Sequence, residues 1–287
     1  IDRDGHHSYA ELREATATLS GLIRSWDLPP GSRVGILSRN SFFWAASYVA
    51  ILRSGHVAVP FATTLTVLDV LEKAEFVDCT AFFIDPGVAT ATEVAATATH
   101  VAHPSALADP QTPADTPFVA VDPDDDAVLM FTSGTTSAPR AVRVSHRNIR
   151  ANTTSILEYL DLTHEDRVAV VLPFSYCYGA SLLHTHLHAG ASLSICDTFA
   201  FPETVVEHIR DNSCTGLAGV PSTYQRLLHA STFASTPLPT LRTLQQAGGR
   251  LPTPQVEAVA ASQPQARLFV MYGATEATSR LSYLPPE

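Results

Sequence analysis

The sequence predicts an α/β protein in which helices pack on largely parallel sheets. Amphipathic helical stretches alternate with short apolar runs along the chain, which is the pattern of parallel strands joined by helices. Hydrophobic residues make up 45% and charged residues 16% of the 287 residues, as is typical of a folded chain with a sizeable core. This length fits two average domains or one large one.

The first half of the chain shows the alternation from its start. Residues 8–26 predict an amphipathic helix, with Ser8 as its N-cap and Glu11 completing a capping box. An apolar run at 33–37 predicts a buried strand, and the pair Asn40-Ser41 can cap a second helix. Further strands are predicted at 57–60 and 81–85, with a helix at 68–74 between them.

The composition changes at residues 100–126, which are rich in Pro, Asp, Thr and Ala. This segment predicts an exposed connector between two α/β halves, although its acidic end at 122–126 is also compatible with a functional acidic patch. Sheet-like runs then resume, with helical stretches between most of them, at 128–131, 168–172, 192–195 and 267–271.

The charge and the apolar runs exclude several kinds of partner. Lys plus Arg is 18 and Asp plus Glu is 28, so the net charge of −10 argues against nucleic acid. No apolar run reaches the ~18 residues that a membrane span needs. Because the first residues also lack the apolar stretch of a secretory signal, we expect a cytoplasmic protein without a membrane span.

Cysteine and lysine usage limits the chemistry further. The four cysteines are too widely spaced for a disulfide framework or a Cys-x-x-Cys metal site, so we expect reduced thiols at Cys79, Cys177, Cys196 and Cys214. Lys73 is the only lysine. Chemistry that needs a lysine must therefore use arginine or lie outside this chain.

The most informative segment is a loop at residues 132–142, here called the hydroxyl loop, in which five Ser or Thr residues follow an apolar strand. Backbone N–H groups and hydroxyls in such a loop can surround a polyphosphate, and Arg140 adds a fixed positive charge. The loop lacks the Gly-x-x-x-x-Gly-Lys-Ser/Thr pattern. Its composition alone fits an ordinary Ser/Thr-rich turn equally well.

The order of residues in this loop closely resembles the phosphate-binding signature of the adenylate-forming superfamily. That superfamily includes acyl-CoA synthetases, aryl-acid ligases, peptide-synthetase adenylation domains and luciferase. The resemblance continues in the family's order through 219–222 and the pair Gly248-Gly249. It is tightest at 272–276, Tyr-Gly-Ala-Thr-Glu, which is similar to the family's adenine and magnesium motif.

The resemblance implies the large N-terminal domain of the adenylate-forming fold, incomplete within residues 1–287 and without the mobile C-terminal domain. It also implies ATP and Mg²⁺ as cofactors. A carboxylate would attack the α-phosphate of ATP, and a thiol of coenzyme A or of a phosphopantetheine carrier would then take the acyl group. The family's ribose-binding aspartate, its hinge and its catalytic lysine would all follow residue 287.

The resemblance also implies roles for individual residues. Glu276 would ligate the metal, and Thr275 and the loop hydroxyls would hold phosphate oxygens. Tyr272 would lie on one face of the adenine ring, and the backbone of the two glycines at 248–249 would run along the other face. The residues implied in binding ATP are Thr132, Ser133, Gly134, Thr135, Thr136, Arg140, Gly248, Gly249, Tyr272 and Gly273.

The acid pocket is less determined. Tyr176 falls where the family places an aromatic or histidine gate, with Tyr178 as its nearest competitor. No aspartate lies within 173–179 to pair with a substrate ammonium, which argues against an α-amino acid. We therefore expect an aliphatic or aryl acid in a slot of small and apolar residues, although core packing explains these residue types equally well: Gly179, Val220, Ala247 and Met271.

Three departures from the family pattern lie in the hydroxyl loop. A glycine is usual at Ser137 and at Ala141, and a lysine is common at Arg140. With side chains in place of these two glycines, the loop is less able to adopt positive φ, and its backbone cannot approach phosphate as closely. Nucleotide binding is still expected, but its tightness is left open.

Two further clusters have competing interpretations. His184, His186 and His188 alternate, as metal ligands on a strand would, but the family places a helix there. Four arginines are expected along one side of the helix after the hydroxyl loop, either as a site for phosphate or coenzyme A or as a solvated face: Arg140, Arg143, Arg147 and Arg150.

Two alternative functions are compatible with the sequence. One is a non-catalytic member that binds nucleotide or docks a carrier protein. The other is a ligase that passes the activated group to an amine or another nucleophile. A dinucleotide-dependent oxidoreductase is disfavoured because Gly-x-Gly-x-x-Gly does not occur. The expected partners are a small carboxylic acid and, as a second candidate, an acyl carrier protein, while the acid, the acceptor and the oligomeric state are not determined.

Overall fold

The computed structural model describes residues 1–108, 118–132, 139–196 and 199–286. The chain forms two compact units, each with one six-stranded sheet in its described residues. The N-terminal unit is His6–Asn148, and the C-terminal unit combines Ile1–Gly5 with Ile149–Glu287. The sheets are mostly parallel and carry helices, so the predicted α/β class is confirmed.

The N-terminal unit alternates strands and helices in the predicted order. Its helices are α1 (Tyr9–Ser25), α2 (Phe42–Arg53), α3 (Val67–Phe76) and α4 (Ala91–Thr97). Its strands are β1 (Arg33–Leu37), β2 (Val57–Pro60), β3 (Cys79–Ile84), β4 (His100–Ala102), β5 (Asp126–Phe131) and β6 (Ala141–Ser145). The sheet order is β4-β3-β1-β2-β5-β6, and every neighbouring pair is parallel except β5 and β6.

Reciprocal caps fix the starts of two of these helices. The Ser8 hydroxyl accepts the Glu11 N–H at 3.2 Å, while the Glu11 carboxylate accepts the Ser8 N–H at 2.6 Å. Thr66 and Asp69 repeat this arrangement at the start of α3. The hydrogen bonds from Ser8 lower the pKa of Glu11. The predicted capping box is therefore present, and the register of α1 follows from it.

The segment at 100–126, expected to be a connector, contains regular structure at its start, and its residues 109–117 lie outside the described part of the chain. His100–Ala102 forms β4, which pairs in parallel with β3, and Pro104–Ala108 forms a 3₁₀ turn. The three residues of β4 pair with Ala81, Phe82 and Phe83 and so cover part of the edge of β3. Such a short strand leaves no periodicity in the sequence. The boundary between the compact units falls instead after Asn148.

The C-terminal unit contains most of α5 (His146–Leu160), whose first turn lies in the N-terminal unit. Its other helices are α6 (Cys177–Ala189), α7 (Pro202–Asp211), α8 (Pro221–Ala230) and α9 (Thr253–Ser262), and Thr275–Ala277 forms a 3₁₀ turn. Its strands are β7 (Arg167–Val170), β8 (Ser192–Ile195), β9 (Gly216–Gly219), β10 (Thr243–Gln246), β11 (Arg267–Gly273) and β12 (Arg280–Leu284).

In this second sheet the order is β12-β11-β10-β9-β7-β8, and only β12 runs antiparallel to its neighbour. Side chains from α7, α8 and α9 form an apolar core with β7, β9 and β10. The first residue of the chain also joins this sheet, because Ile1 exchanges backbone hydrogen bonds of 2.8 and 2.9 Å with Leu193 and Ile195. The C-terminal unit is therefore discontinuous in sequence.

The expected row of four arginines on one helix is wrong. Residues 141–145 form β6, whose antiparallel pairing with β5 holds them in a strand. Arg143 therefore projects from a strand and pairs with Asp126 at 2.8 Å. Only Arg147 and Arg150 lie on α5, and the Arg147 guanidinium donates two hydrogen bonds to the Asp124 carboxylate.

The histidine cluster lies on α6, a helix, as the resemblance implied. His186 is buried, and its Nδ1 lies 2.9 Å from the Leu182 carbonyl oxygen. In the part of the chain that the structure describes, no group of three His, Cys, Asp or Glu side chains could hold a metal ion. None of the described helices combines the length and apolar character needed to cross a bilayer.

Candidate active site

Five parallel strands of the C-terminal unit carry the chain to one edge of their sheet. The predicted site residues follow four of these strands: Tyr176 comes after β7, Val220 after β9, Gly248 after β10 and Thr275 after β11. Segments that follow the carboxyl ends of parallel strands gather at the same edge, which is where open α/β sheets bind ligands. The topology therefore explains why residues a hundred positions apart can meet.

Direct contacts show that these segments do meet. A β-carbon built on Gly248 would lie 3.4 Å from Tyr176 Oη and 2.9 Å from Val220 Cγ1. The Thr275 hydroxyl donates a hydrogen bond to Cys177 Sγ at 3.4 Å. Residues predicted from four separate segments thus form one cluster in the C-terminal unit.

The backbone conformation at position 248, as well as this crowding, requires a glycine there. Its φ is +84°, in the left-handed region that glycine adopts without steric cost. The Gln246 side-chain amide donates to the Gly249 carbonyl at 2.9 Å and holds the turn from inside. A larger residue at 248 would meet both backbone strain and the Val220 side chain.

The side chains around this turn differ in exposure. Tyr176 is 41% exposed and Tyr272 is 65% exposed, so both rings present surface to a ligand. Burial, and then the nearby Cys177 thiol, raises the pKa of Tyr176, which keeps its hydroxyl protonated. Burial also raises the pKa of Cys177, and the charge of the nearby Glu276 raises it further. Glu276 itself is exposed and lies close to this cluster.

Tyr178, the competitor of Tyr176, is fully enclosed. Its hydroxyl donates to the Gln245 backbone oxygen at 2.9 Å, and burial raises its pKa. Tyr176, whose ring is half exposed beside Gly248, is therefore the better placed of the two to contact a ligand.

Two glycines assigned to ligand binding have a structural explanation of their own. A β-carbon at Gly179 would lie 2.0 Å from the Pro173 carbonyl oxygen, and one at Gly273 would lie 2.0 Å from the Ser279 carbonyl oxygen. Both glycines let two backbone segments approach each other. Their contact with acid or nucleotide stays a prediction.

The apolar slot residues occupy different positions. Ala247 and Met271 are buried, and Val220 is half-buried beside Gly248. The Met271 sulfur accepts a hydrogen bond from the Tyr159 hydroxyl at 3.1 Å. Met271 thus belongs to a mixed polar environment rather than a purely apolar one.

Sequence reasoning missed the polar group next to Met271. Arg280 is buried, and its Nη1 donates to Gln245 Oε1 at 2.9 Å and to the Tyr159 hydroxyl at 3.3 Å. Its guanidinium carbon lies 4.9 Å from the centre of the Tyr178 ring. Arg280 starts an edge strand between Ser279 and Leu281, and no sequence pattern there distinguishes a buried arginine from an exposed one.

The hydroxyl loop belongs to the N-terminal unit, and its central residues lie outside the described part of the chain: Ser133, Gly134, Thr135, Thr136 and Ser137. At its base, the Thr132 N–H donates to the Arg140 carbonyl oxygen at 3.2 Å. The Arg140 side chain is exposed. Ala141 begins β6 opposite Phe131 and does not have a positive φ, so an alanine fits there without strain.

The fold is that of an α/β domain in which the predicted site residues follow the carboxyl ends of parallel strands. The chain belongs to the family described as AMP-binding enzyme, which matches residues 1–287. The sequence resemblance to adenylate-forming enzymes is thereby confirmed.

Similar proteins support this assignment. A methyl-dioxo-octahydroindenyl propanoyl:CoA ligase of Rhodococcus jostii (strain RHA1) is 26% identical over 96% of this chain and 59% of its own length. A D-alanine–D-alanyl carrier protein ligase of Streptococcus agalactiae is 26% identical over 96% of this chain and 54% of its own length. The chain thus spans a little over half the length of these curated relatives.

A solved structure supports the fold. The N-terminal domain of FACL13 from Mycobacterium tuberculosis matches with a TM-score of 0.91 over 100% of this chain and 74% of that one, at 21% identity. At this identity the likeness shows the fold alone.

Proposed function

We propose that the protein activates a carboxylic acid with ATP and transfers the acyl group to a thiol of coenzyme A or of a carrier protein. In the first step a carboxylate oxygen would bond to the α-phosphorus while pyrophosphate leaves. In the second step the thiolate would attack the acyl carbon and AMP would leave. The convergence of Tyr176, Val220, Gly248 and Thr275 at one sheet edge, in a chain of this family, carries the proposal.

The residue roles belong to this proposal. Charge develops on the α-phosphate and on the leaving pyrophosphate, so preorganised donors are more useful there than a protein nucleophile. Thr275 and Arg140 would supply such donors, together with the hydroxyl loop at 132–136. Tyr272 and Gly273 would contact adenine, and the turn at 248–249 would border its other face.

Glu276 fits a role in holding Mg²⁺. Glu276 is exposed and directly follows Thr275 in the chain, and no group of three acidic, His or Cys ligands accompanies it among the described residues. Mg²⁺ commonly binds through one or two carboxylates together with phosphate oxygens and water. The ion would neutralise charge on the phosphates.

The proposed acid is not an α-amino acid, although one relative is named for D-alanine. No aspartate lies within 173–179, and the buried charge of Arg280 would oppose a substrate ammonium. We propose an aliphatic or aryl acid in a slot formed by Tyr176, Gly179, Val220, Ala247 and Met271.

We further propose that residues 1–287 form the larger N-terminal part of a longer ligase. The relatives extend well beyond the matched region. The domain that carries the family's catalytic lysine would lie in that remainder. The only lysine of this chain, Lys73, is on α3, where its ammonium lies 5.8 Å from the Phe131 ring centre. None of the four cysteines forms a disulfide, which suits the cytoplasm as the proposed compartment.

The test is acid-dependent exchange of pyrophosphate into ATP by the intact protein, across fatty, aryl and amino acids. Exchange with at least one fatty or aryl acid is expected. Absence of exchange across the whole panel would overturn the proposal, and exchange with amino acids alone would overturn the substrate assignment. Product analysis with coenzyme A, a carrier protein and amines identifies the acceptor.

A further inference from the structure

Arg280 is the most unusual buried group in the C-terminal unit. Its residue surface is 7% exposed, and it lies opposite Gly273, where β12 meets β11. The missing side chain at Gly273 lets the backbone at Ser279 approach closely. The arginine therefore starts the edge strand, yet its guanidinium reaches Gln245 on β10, two strands away.

The guanidinium is only partly satisfied. Nη1 has hydrogen-bond acceptors, but Nε and Nη2 are buried and have none. Among the described residues, no carboxylate oxygen lies within 4.0 Å of Arg280. A buried charge with no opposite charge is strongly unfavourable, so its retention calls for a reason beyond packing.

The two unsatisfied nitrogens are the pair that binds carboxylates elsewhere in this chain. Arg39 donates from Nε and Nη2 to Asp85 at 2.7 and 3.3 Å. Arg147 uses the same two nitrogens on Asp124. Nε and Nη2 form one edge of the planar fork and match the two oxygens of a carboxylate. Arg280 thus presents a complete carboxylate-binding edge that no side chain of the described chain fills.

The third nitrogen of the guanidinium, Nη1, lies beside the proposed acid slot. Nη1 is 4.0 Å from the sulfur of Met271, a proposed slot residue. The Tyr178 ring beneath the guanidinium belongs to the first turn of α6, directly after Tyr176 and Cys177. Burial lowers the pKa of His186 to about 4, and the positive charge of Arg280 contributes to this shift.

We infer that the acid substrate carries a second carboxylate, which Arg280 binds through Nε and Nη2. This inference rests on the proposed function and narrows its substrate class to aliphatic or aryl dicarboxylic acids. One carboxylate would be activated, and the other would be held by the buried fork. The substrate would then supply the negative charge that the protein lacks at this position.

Access to the fork requires one neighbour to move, because both nitrogens are shielded from solvent. Met271 suits this role, since its unbranched side chain has three rotatable bonds. A cleft of about 460 Å³ between α5 and β12 borders Arg280 and Tyr159, and it is also lined by Glu158 but by none of the proposed slot residues. Binding of a diacid is therefore expected to displace the Met271 side chain.

The test compares matched acids in the pyrophosphate exchange assay with the intact protein. Hexanoate and adipate share a six-carbon chain, and 3-phenylpropanoate differs from its ring-carboxylated analogue only by the added carboxylate. The wild-type protein is expected to favour each diacid at least tenfold in kcat/KM. In Arg280→Met the diacid should lose about 10²-fold in kcat/KM, mainly through KM, because the contact is remote from the reacting carboxylate.

The controls separate recognition from structure. Arg280→Lys keeps the charge but not the fork, so its diacid preference should fall between those of the other two proteins. Arg267→Met, on the neighbouring strand, should leave the preference unchanged. Equal use of both acids by the wild-type protein would overturn the inference without any variant. An equal loss for both acids in Arg280→Met would overturn the inference and assign Arg280 a purely structural role. Absence of exchange by the wild-type protein with any acid would overturn the proposed function as well.

Discussion

Backbone conformation and crowding both exclude a β-carbon at Gly248. Its φ of +84° places it in the left-handed region, and a β-carbon there would lie 2.9 Å from Val220. Gly190, at the end of α6, has a similar φ of +68°, but a β-carbon there would meet only His164 at 3.8 Å. The two glycines thus share a backbone conformation and differ in crowding.

Replacing Gly248 with alanine should therefore harm both stability and binding. The left-handed conformation costs an L-residue about 1–2 kcal/mol, which both Gly248→Ala and Gly190→Ala should lose in urea unfolding. Only Gly248→Ala should also raise the KM for ATP or acid in pyrophosphate exchange. Identical exchange kinetics in the two variants would contradict a role for this turn in ligand binding.

Glu276→Gln tests the proposed metal ligand without changing the size of the side chain. Loss of one preorganised charge should lower the exchange rate by roughly 10²–10³. Glu257→Gln, an exposed carboxylate on α9, is the matched control and should retain the wild-type rate. A Glu276→Gln protein that exchanges pyrophosphate at the wild-type rate would refute the assignment.

At the scale of single residues, the sequence identified those that belong to contiguous motifs. Tyr176, Val220, Gly248 and Thr275 were all predicted, and the structure brings them together. Arg280 could not be predicted, because its burial depends on strand pairing with Gly273 and on partners up to 121 residues away.

The α6 helix contains a buried histidine that makes stability depend on pH. Burial, opposed in part by a hydrogen bond to the Leu182 carbonyl, lowers the pKa of His186 from 6.5 to about 4. Between these values the unfolded chain binds a proton that the folded chain rejects. Stability from this group is complete above pH 6.5 and declines as the pH falls toward 4.

His186→Leu should reduce this pH dependence, and the part that remains includes His184, whose pKa burial also lowers. The wild-type protein should lose up to about 3 kcal/mol at this site between pH 6.5 and 4, since one pKa unit corresponds to about 1.4 kcal/mol. Urea unfolding at several pH values measures the slope. His188→Leu, at an exposed position, should keep the wild-type slope. A slope in His186→Leu equal to that of the wild-type protein would contradict the assignment.

At the scale of elements, apolar strands were predictable and polar buried strands were not. The predictions at 33–37 and 192–195 match β1 and β8. The strands β9 and β10 read Gly-Leu-Ala-Gly and Thr-Leu-Gln-Gln, which lack the usual apolar signature. Gln246 tolerates burial because its amide finds carbonyl acceptors in the following turn, a tertiary contact that composition does not show.

At the scale of the whole molecule, the motifs are divided between the compact units. The hydroxyl loop belongs to the N-terminal unit, whereas the motifs at 219–222, 248–249 and 272–276 belong to the C-terminal unit. The alternation of strands and helices predicted the class of the fold. The boundary after Asn148 was not predictable, because it lies within a continuous helix rather than in a linker.

Removal of residues 1–4 should weaken the C-terminal unit selectively. The edge strand β8 would lose two backbone hydrogen bonds, which contribute about 1 kcal/mol each. Amide exchange at Ile195 should accelerate because its N–H donates to the Ile1 carbonyl. Arg3→Ala, at an exposed position, serves as the control. Unchanged protection at Ile195 after the deletion would contradict the pairing.

The discontinuous C-terminal unit has a consequence for synthesis. Ile1 emerges from the ribosome 192 residues before Leu193, so at 5–20 residues per second it waits about 10–40 s for its partner strand. All residues of the N-terminal unit emerge within that interval. The chain can thus complete one unit while the first segment of the other still lacks its partner, and translation speed sets how long that segment is open to chaperones and proteases.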